Sequence, residues 1–405
     1  MDRRKFLTRT GQSLALLNVA GLASAAPTLS KEYKNVAPED IIYRTLGRTG
    51  LQVPVVSMGV MNANIPGLIV RSYDKGIRLF DTAWYYQNGM NEKMLGETLD
   101  KHKLRDDVKI VTKVYLKETE RDLYQPEIKA VFIERFEESL RRLKTDYVDV
   151  LIYHAASTIE EQNNPFIIEA LTELKAAGKY KHCAVSLHGD DAALIDDVRE
   201  KGFYDIIMVM FNIAYADDLR LQTAMQKAAE AGHGIIAMKT QCGGGGYMWW
   251  EKHEDSRQSI GTLNHTAMLK WVLQHDYIAT AIPGYTTYEQ LDENFSVADN
   301  LAFTTQERDF LDKAHVQLAQ SFCVQCSQCV NSCPHRNDIP TLMRTYMYAY
   351  QYDNMQQALA TEKAMPRKYG LANCKDCGQC SAQCKRSLNL SQRIEALKEL
   401  NFQHA

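Results

Sequence analysis

No Gly-x-Gly-x-x-Gly follows the first strand-like run of this 405-residue chain, so the phosphate-binding turn of a doubly wound dinucleotide fold is missing. No Gly-Lys-Ser or Gly-Lys-Thr follows its glycine run at Gly243–Gly246, which removes a P-loop. A net charge of −3 leaves no basic surplus for nucleic acid. The apolar stretch from Ser13 to Ala23 is too short to cross a bilayer stably and is interrupted by Asn18 and Gly21, so no stable membrane span is expected. No cysteine follows it closely, so a lipid anchor is not indicated. What remains is a chain with 45% apolar residues, enough for ordinary cores in two or three domains.

The N-terminus reads as an address. Asp2-Arg3-Arg4-Lys5-Phe6-Leu7 is a twin-arginine run; the short apolar stretch follows, and Ala23-Ser24-Ala25 offers a small-residue cleavage site before Ala26-Pro27. A Tat signal over residues 1–25 and a periplasmic location are expected. A basic amphipathic helix is the plainer alternative, but it needs neither Phe6-Leu7 nor the Ala-Ser-Ala ending.

Near the other end the chain is rich in one residue. Cys323, Cys326, Cys329 and Cys333, then Cys374, Cys377, Cys380 and Cys384, repeat Cys-x-x-Cys-x-x-Cys-x-x-x-Cys, the spacing of bacterial ferredoxins. Structural zinc uses separated Cys-x-x-Cys knuckles and has no use for the third and fourth thiolates at these intervals. A disulfide framework belongs to small secreted domains without a core, whereas a large domain precedes this run. Two [4Fe-4S] clusters are therefore expected; if ligation crosses over between the copies, Cys323, Cys326, Cys329 and Cys384 hold one, and Cys374, Cys377, Cys380 and Cys333 the other. The second copy has Lys385 where the first has Pro334, which alters the loop and not the ligand set. Clusters are loaded in the cytoplasm, and Tat export carries folded proteins, so the two ends of the chain agree.

Between them, β-branched apolar runs alternate with amphipathic stretches. Candidate strands are Val55–Gly59, Arg78–Asp81, Lys109–Lys113, Val148–Tyr153, His182–Ser186, Ile206–Met210, Gly234–Met238 and Ala279–Pro283. Ile128, Val131, Phe132, Phe136 and Leu140 share one helical face. Eight such units predict an α/β fold, a (β/α)8 TIM barrel over 41–320, with a turn at Leu46–Leu51 closing its bottom. A small α-helical, ferredoxin-like two-cluster domain over 321–390 and a C-terminal helix or tail over 391–405 complete the layout. An open doubly wound sheet is the alternative. Cys183 reads as a small core residue, and Met343–Met347 with Tyr346, Tyr348, Tyr350 and Tyr352 as packing within the cluster domain.

A barrel carries its chemistry at the C-terminal strand ends. Asp81 ends the second predicted strand with Tyr86 in the loop beyond, Lys113 ends the third, and His154 follows the fourth. Each alone has a bland reading: a helix cap, a solvated lysine, a structural histidine. Four converging on one mouth point to acid–base chemistry. Reducing a carbonyl needs a proton on oxygen as well as a hydride on carbon. A phenol, ordinarily near pKa 10, must become a better acid, and a neighbouring ammonium favours its phenolate.

Phe80-Asp81-Thr82-Ala83-Trp84-Tyr85-Tyr86 with Gly89 and Glu92, Val111-Thr112-Lys113, and Asp149–His154 together resemble the aldo-keto reductase superfamily. Ile282-Pro283-Gly284 with Leu291 and Glu293-Asn294 resembles its last nucleotide-binding segment. The likeness spans roughly residues 41–300, and the clusters make the chain similar to the family's ferredoxin-fused branch. It implies a catalytic tetrad of Asp81, Tyr86, Lys113 and His154, and cofactor contacts from Ser186, Lys239, Pro283, Gly284, Glu293 and Asn294. The chain also departs from the family. Leu187 and Met208 stand where amides usually hold the nicotinamide, and Ala237-Met238-Lys239 replaces an expected aromatic. Gly284–Asn294 contains no Lys or Arg for a 2′-phosphate, while Glu289 or Glu293 suits a ribose hydroxyl, favouring NAD over NADP.

Three functions follow from this reading. The first is an exported oxidoreductase acting on a small carbonyl or alcohol, coupled to the clusters and to a redox partner protein. The second is an electron-transfer protein with a silent barrel. The third is an NAD(P)H-dependent carbonyl reductase with structural clusters. Hydride moves electrons in pairs and a cube passes one at a time, so coupling requires something to part the pair, and no residue pattern supplies it.

Overall fold

A hairpin plugs one end of a closed ring of strands. The computed structural model describes residues 33–116, 127–242, 263–321, 323–351, 354–377 and 380–400. The twin-arginine segment, Gly243–Gly246, Tyr352 and the last five residues lie outside them. Strands β1 (Tyr43–Thr45) and β2 (Gln52–Pro54) pair antiparallel. The turn between them presses Leu46, fully buried, against Gly234. Gly47 has φ +52°, and a Cβ there would stand 2.3 Å from the Gly234 nitrogen, so this approach requires glycine.

The ring comprises β3 (Met58–Gly59), β4 (Leu79–Asp81), β5 (Lys109–Tyr115), β6 (Val148–Ala156), β7 (Tyr180–Leu187), β8 (Ile206–Met210), β9 (Gly234–Met238) and β10 (Thr280–Ala281), all parallel in chain order. All eight predicted strands are present. Closure comes from bridges Val56–Ala281 and Gly59–Gly284, with Ser57 N–H donating to Ala281 O at 2.9 Å. Closing the ring removes both edges, which disposes of the open-sheet alternative. Strand β6 is buried along its whole length, as a strand covered on both faces must be. The helix Glu127–Leu143 buries Ile128, Phe132, Phe136 and Leu140, the face its sequence period marks out.

From Lys34 onward the chain forms one compact unit. Beyond the barrel, helices Ile339–Tyr346, Met355–Ala364 and Leu390–Glu399 carry the cysteine-rich region. The C-terminal helix packs on Ile339–Tyr346, with Tyr350 donating to Ala396 O at 2.8 Å, so it belongs to the cluster region and not to a free tail. This region sits on the barrel's mouth: Asn354 donates to Asn62 at 2.6 Å, Arg386 to Ala214 O at 2.6 Å, and Tyr215 to Val324 O at 3.4 Å. No described helix is long and apolar enough to cross a membrane.

Candidate active site

The ends of β4, β5 and β6 bring the predicted tetrad together. Lys113 is 1% exposed, and its ammonium spends its three hydrogens on Asp81 Oδ2 at 2.6 Å, Thr82 O at 2.7 Å and the Tyr86 hydroxyl at 3.4 Å. Burial pulls the ammonium down from its ordinary value, against the pull of Asp81; burial likewise raises the Asp81 carboxyl, against Lys113. His154 lies across the cavity, its ring centroid 6.1 Å from that of Tyr86. A bound carbonyl oxygen would sit between the two.

Sequence explains why these side chains hold still. Glu92, fully buried, accepts from Thr112 Oγ1 at 2.6 Å and pairs with Arg142 at 3.3 Å, which fixes the strand beside Lys113. Gly89 leaves room for that guanidinium, since a Cβ there would stand 2.3 Å from it. His154 precedes an irregularity in β6: the register with β7 shifts between Tyr153 and Ala156, and Ala155 takes φ +72°. Such bulges re-aim side chains next to active sites. The Ala155 N–H is held by Ser186 Oγ at 2.9 Å. Ser186, expected as a cofactor contact, thus braces the backbone that presents His154.

The central cavity has about 90 Å³ of free volume, comparable to three water molecules, and is lined by Asp81, Tyr86, His154, His188, Met208, Met238, Lys239, Thr240, Pro283, Gly284 and Tyr348 among others. Lys239, Pro283 and Gly284 of the expected cofactor contacts reach it. Asn294 is instead buried and accepts from Gln241 at 2.6 Å, and Glu293 is buried in the helix Tyr288–Phe295. Met208 gives the wall an apolar face where an amide was sought, and Met238 does so in the segment where an aromatic was expected. The buried Thr240 hydroxyl has no partner among the described residues and is a polar atom available to a carboxamide. Lys239 takes φ +53° at the end of β9 and sits 3.1 Å from His188 Nε2; burial, with the nearby Arg344 charge, brings its ammonium down to about 7.

Three of these residues escape the sequence reading. His188 follows β7 directly and falls to the same strand-end logic that found His154. Arg344 and Tyr348 carry no such signal, because they come from the cluster region. Tyr346 and Tyr350 do pack there, with ring centroids 4.7 Å apart, but Tyr348 enters the barrel cavity and bonds to Tyr85. The expectation that all these tyrosines serve internal packing is corrected to that extent. Cys183 is a core thiol pushed up to about 12 by burial.

None of the ten cysteines is in a disulfide. Cys333, Cys374, Cys377 and Cys380 ring one cavity. Burial, reinforced by the neighbouring Cys326 and Cys384, raises the thiols of Cys323 and Cys329, the latter to about 12, so these four lie together. These are the two crossed sets. Asn337 Nδ2 donates to Cys374 Sγ at 3.1 Å and the Gln325 N–H to Cys323 Sγ at 3.4 Å, contacts that favour thiolate over thiol. The donor set fits two iron–sulfur cubes, with four sulfurs each.

Comparison with known proteins agrees with this anatomy. Residues 67–315 match the aldo/keto reductase family and residues 322–388 the 4Fe-4S dicluster domain. Aldo-keto reductase AMT2 of Alternaria alternata is 27% identical over 228 residues, 46% of this chain and 62% of its own length. The uncharacterized oxidoreductase YqkF of Bacillus subtilis is 26% identical over 294 residues, 65% of this chain and 93% of its own. The holo form of aldo-keto reductase AKR11C1 from Bacillus halodurans superposes with a TM-score of 0.54 at 25% identity, covering 67% of this chain and 96% of that one.

Proposed function

Because the chain belongs to the aldo/keto reductase family and ends in a 4Fe-4S dicluster domain, we propose that this oxidoreductase interconverts a small carbonyl and its alcohol at Asp81, Tyr86, Lys113 and His154, and exchanges the electrons through two [4Fe-4S] clusters. The observation that carries this reading is the placement of the cluster region over the catalytic cavity, with Tyr348 forming part of its wall. Lys239, in that same wall, feels the charge of Cys323. A region present only to stiffen the fold has no reason to sit there.

In the reductive direction Tyr86 gives its proton to the substrate oxygen, and Lys113 stabilises the phenolate left behind while Asp81 holds the ammonium in place. His154 orients the oxygen. In the oxidative direction the phenolate is the base. A nicotinamide, NAD in preference to NADP, would lie against Lys239, Thr240, Pro283 and Gly284 and supply or accept hydride. The eight cysteines would hold the clusters, each of which takes one electron, so that the pair carried by one hydride would be shared between the two cubes with a proton released. The twin-arginine segment supports export to the periplasm with both cofactor classes already bound, since free nicotinamides are not expected there. A redox partner protein completes the circuit.

Anaerobic titration with NADH, watching cluster absorbance, tests the coupling. Bleaching is the expected outcome. Binding without bleaching would leave the clusters structural, and no binding would leave the barrel a scaffold. Replacing Tyr86 by Phe is expected to remove turnover by a factor of about 10² or more, and unchanged turnover would take the tetrad out of the mechanism. Exchanging Arg3 and Arg4 for lysines should retain the protein in the cytoplasm; periplasmic recovery equal to the parent would end the export reading.

A further inference from the structure

Two basic side chains approach the catalytic histidine, and among the described residues neither forms an ion pair with a carboxylate. Arg344 projects from the cluster region's helix Ile339–Tyr346 into a crevice lined by Tyr85, Tyr115, His154, Ala155, His188 and Tyr348. Its guanidinium donates to Thr341 Oγ1 of its own helix, at 3.2 Å, and among the described residues it makes no ion pair. Lys239 approaches from the barrel side, half-buried in the wall of the central cavity, bonded to His188 and likewise without an ion pair among the described residues. His154, His188 and Tyr348 line both spaces, so the two are neighbours. The cations are close enough that Arg344 helps depress Lys239.

Holding two like charges together at a half-buried site is costly unless an anion joins them. Two buried lysines elsewhere are neutralised by carboxylates. Lys113 has Asp81 and Lys270 has Glu307, at 2.6 and 2.9 Å. At this position the immediate neighbours are phenols and imidazoles, which donate to or stack on a ligand; Asp191 acts on Lys239 and Asp338 on Arg344 only from beyond ion-pair distance, and Cys323 is a further neighbour of Lys239.

We propose that Arg344 and Lys239 form a carboxylate-binding subsite, so that the substrate is a small hydroxy acid or the corresponding oxo acid. Its carboxylate takes the guanidinium fork on one side and the ammonium on the other. The carbon bearing the hydroxyl or carbonyl then faces Tyr86 and His154. Free volume of about 90 Å³ limits this to a compact molecule. Specificity is thereby supplied by the cluster region, and the barrel alone recognises the substrate poorly. The inference rests on the carbonyl–alcohol reading of the tetrad, but it makes a claim about binding that needs no turnover.

Titration calorimetry under anaerobic conditions on the cluster-loaded protein tests it, with lactate, its neutral isostere lactamide, and inorganic phosphate as probes. Lactate is expected to bind at least about tenfold more tightly than lactamide, the effect of one or two charge-assisted hydrogen bonds. Arg344→Gln should erase that preference, and Arg344→Lys should keep part of it. Lys239→Gln gives a second arm from the barrel side, so misfolding of the cap in one variant, seen as lost iron, does not leave the matter open. Equal binding of lactate and lactamide, or a preference that survives both glutamine variants, overturns the subsite. Phosphate binding tighter than lactate overturns its assignment to carboxylates. Loss of turnover in Tyr86→Phe with no anion preference in the parent would sink the subsite and leave the tetrad standing.

Discussion

At the scale of single residues, the site is built from buried charges whose neighbours decide their state. Ser186 shows how much a role depends on what a side chain touches. The family resemblance places it against a nicotinamide, yet its hydroxyl accepts the Ala155 N–H at 2.9 Å in the bulge behind His154. Ser186→Ala leaves that buried N–H unsatisfied, at about 1–3 kcal/mol. If the brace matters, kcat falls while the KM for NADH stays near the parent's; a rise in that KM alone would return Ser186 to the cofactor. Asp191 offers a cleaner electrostatic test. Burial raises its carboxyl from 3.8 to about 7, against a hydrogen bond from the Gly189 N–H. The folded state then holds a proton that the unfolded state releases between pH 4 and pH 7, so stability falls as pH rises through that window. Asp191→Asn keeps an acceptor for Gly189 and removes the titration. Urea unfolding across pH 4–8 should show a flatter slope and a gain of a few kcal/mol at most at pH 7; an unchanged slope would assign the pH dependence elsewhere.

At the scale of elements, the two ends of the barrel separate stability from chemistry. The hairpin Tyr43–Pro54 plugs the end where strands begin, and the tetrad lies where they finish. Gly47→Ala forces a Cβ into the Gly234 backbone at a φ of +52°. The expected cost is about 2–3 kcal/mol, read as a lower urea midpoint, with kcat and KM at 25 °C unchanged. A variant that lost activity at full stability would mean the plug communicates with the mouth. The elements were the legible part of this molecule. Short β-branched apolar runs locate all eight strands, because burial on both sheet faces leaves an unbroken apolar signature, and the 3.6-residue period locates the helix Glu127–Leu143. Strand ends then point to Asp81, Lys113 and His154 without any knowledge of tertiary contacts. Arg344, Tyr348 and the bracing role of Ser186 were illegible for the opposite reason. Each depends on which surfaces meet across a hundred residues or more, or on a local bulge, and neither has a periodic signature.

At the scale of the whole molecule, the duplicated cysteine run and the barrel are joined through the mouth, and the crossed arrangement of thiols ties the cluster region into a single body. Cys384 stands with Cys323, Cys326 and Cys329, although it is the last of the second run; Cys333, the last of the first, stands with Cys374, Cys377 and Cys380. Replacing Cys384 by Ala therefore strikes the set beside Lys239 and leaves the other four thiols intact. Iron should fall from about eight to about four per chain, the number held by one cube. The surviving cube is the one whose Cys374 accepts from Asn337 at 3.1 Å. Hydrogen bonds to sulfur stabilise the reduced, more negative state, so Asn337→Leu added to Cys384→Ala should move the remaining potential downward. Asn337→Leu combined with Cys333→Ala should leave the remaining potential where Cys333→Ala alone puts it, because that change removes the cube Asn337 touches. Potentiometric titration followed by paramagnetic resonance distinguishes these cases. If the Asn337 effect follows Cys333 instead, ligation runs within each sequence copy and the crossed assignment fails. If it follows Cys384, the cube nearest the catalytic cavity is the one whose loss uncouples the barrel from the clusters, and bleaching by NADH should vanish in Cys384→Ala while tetrad binding persists.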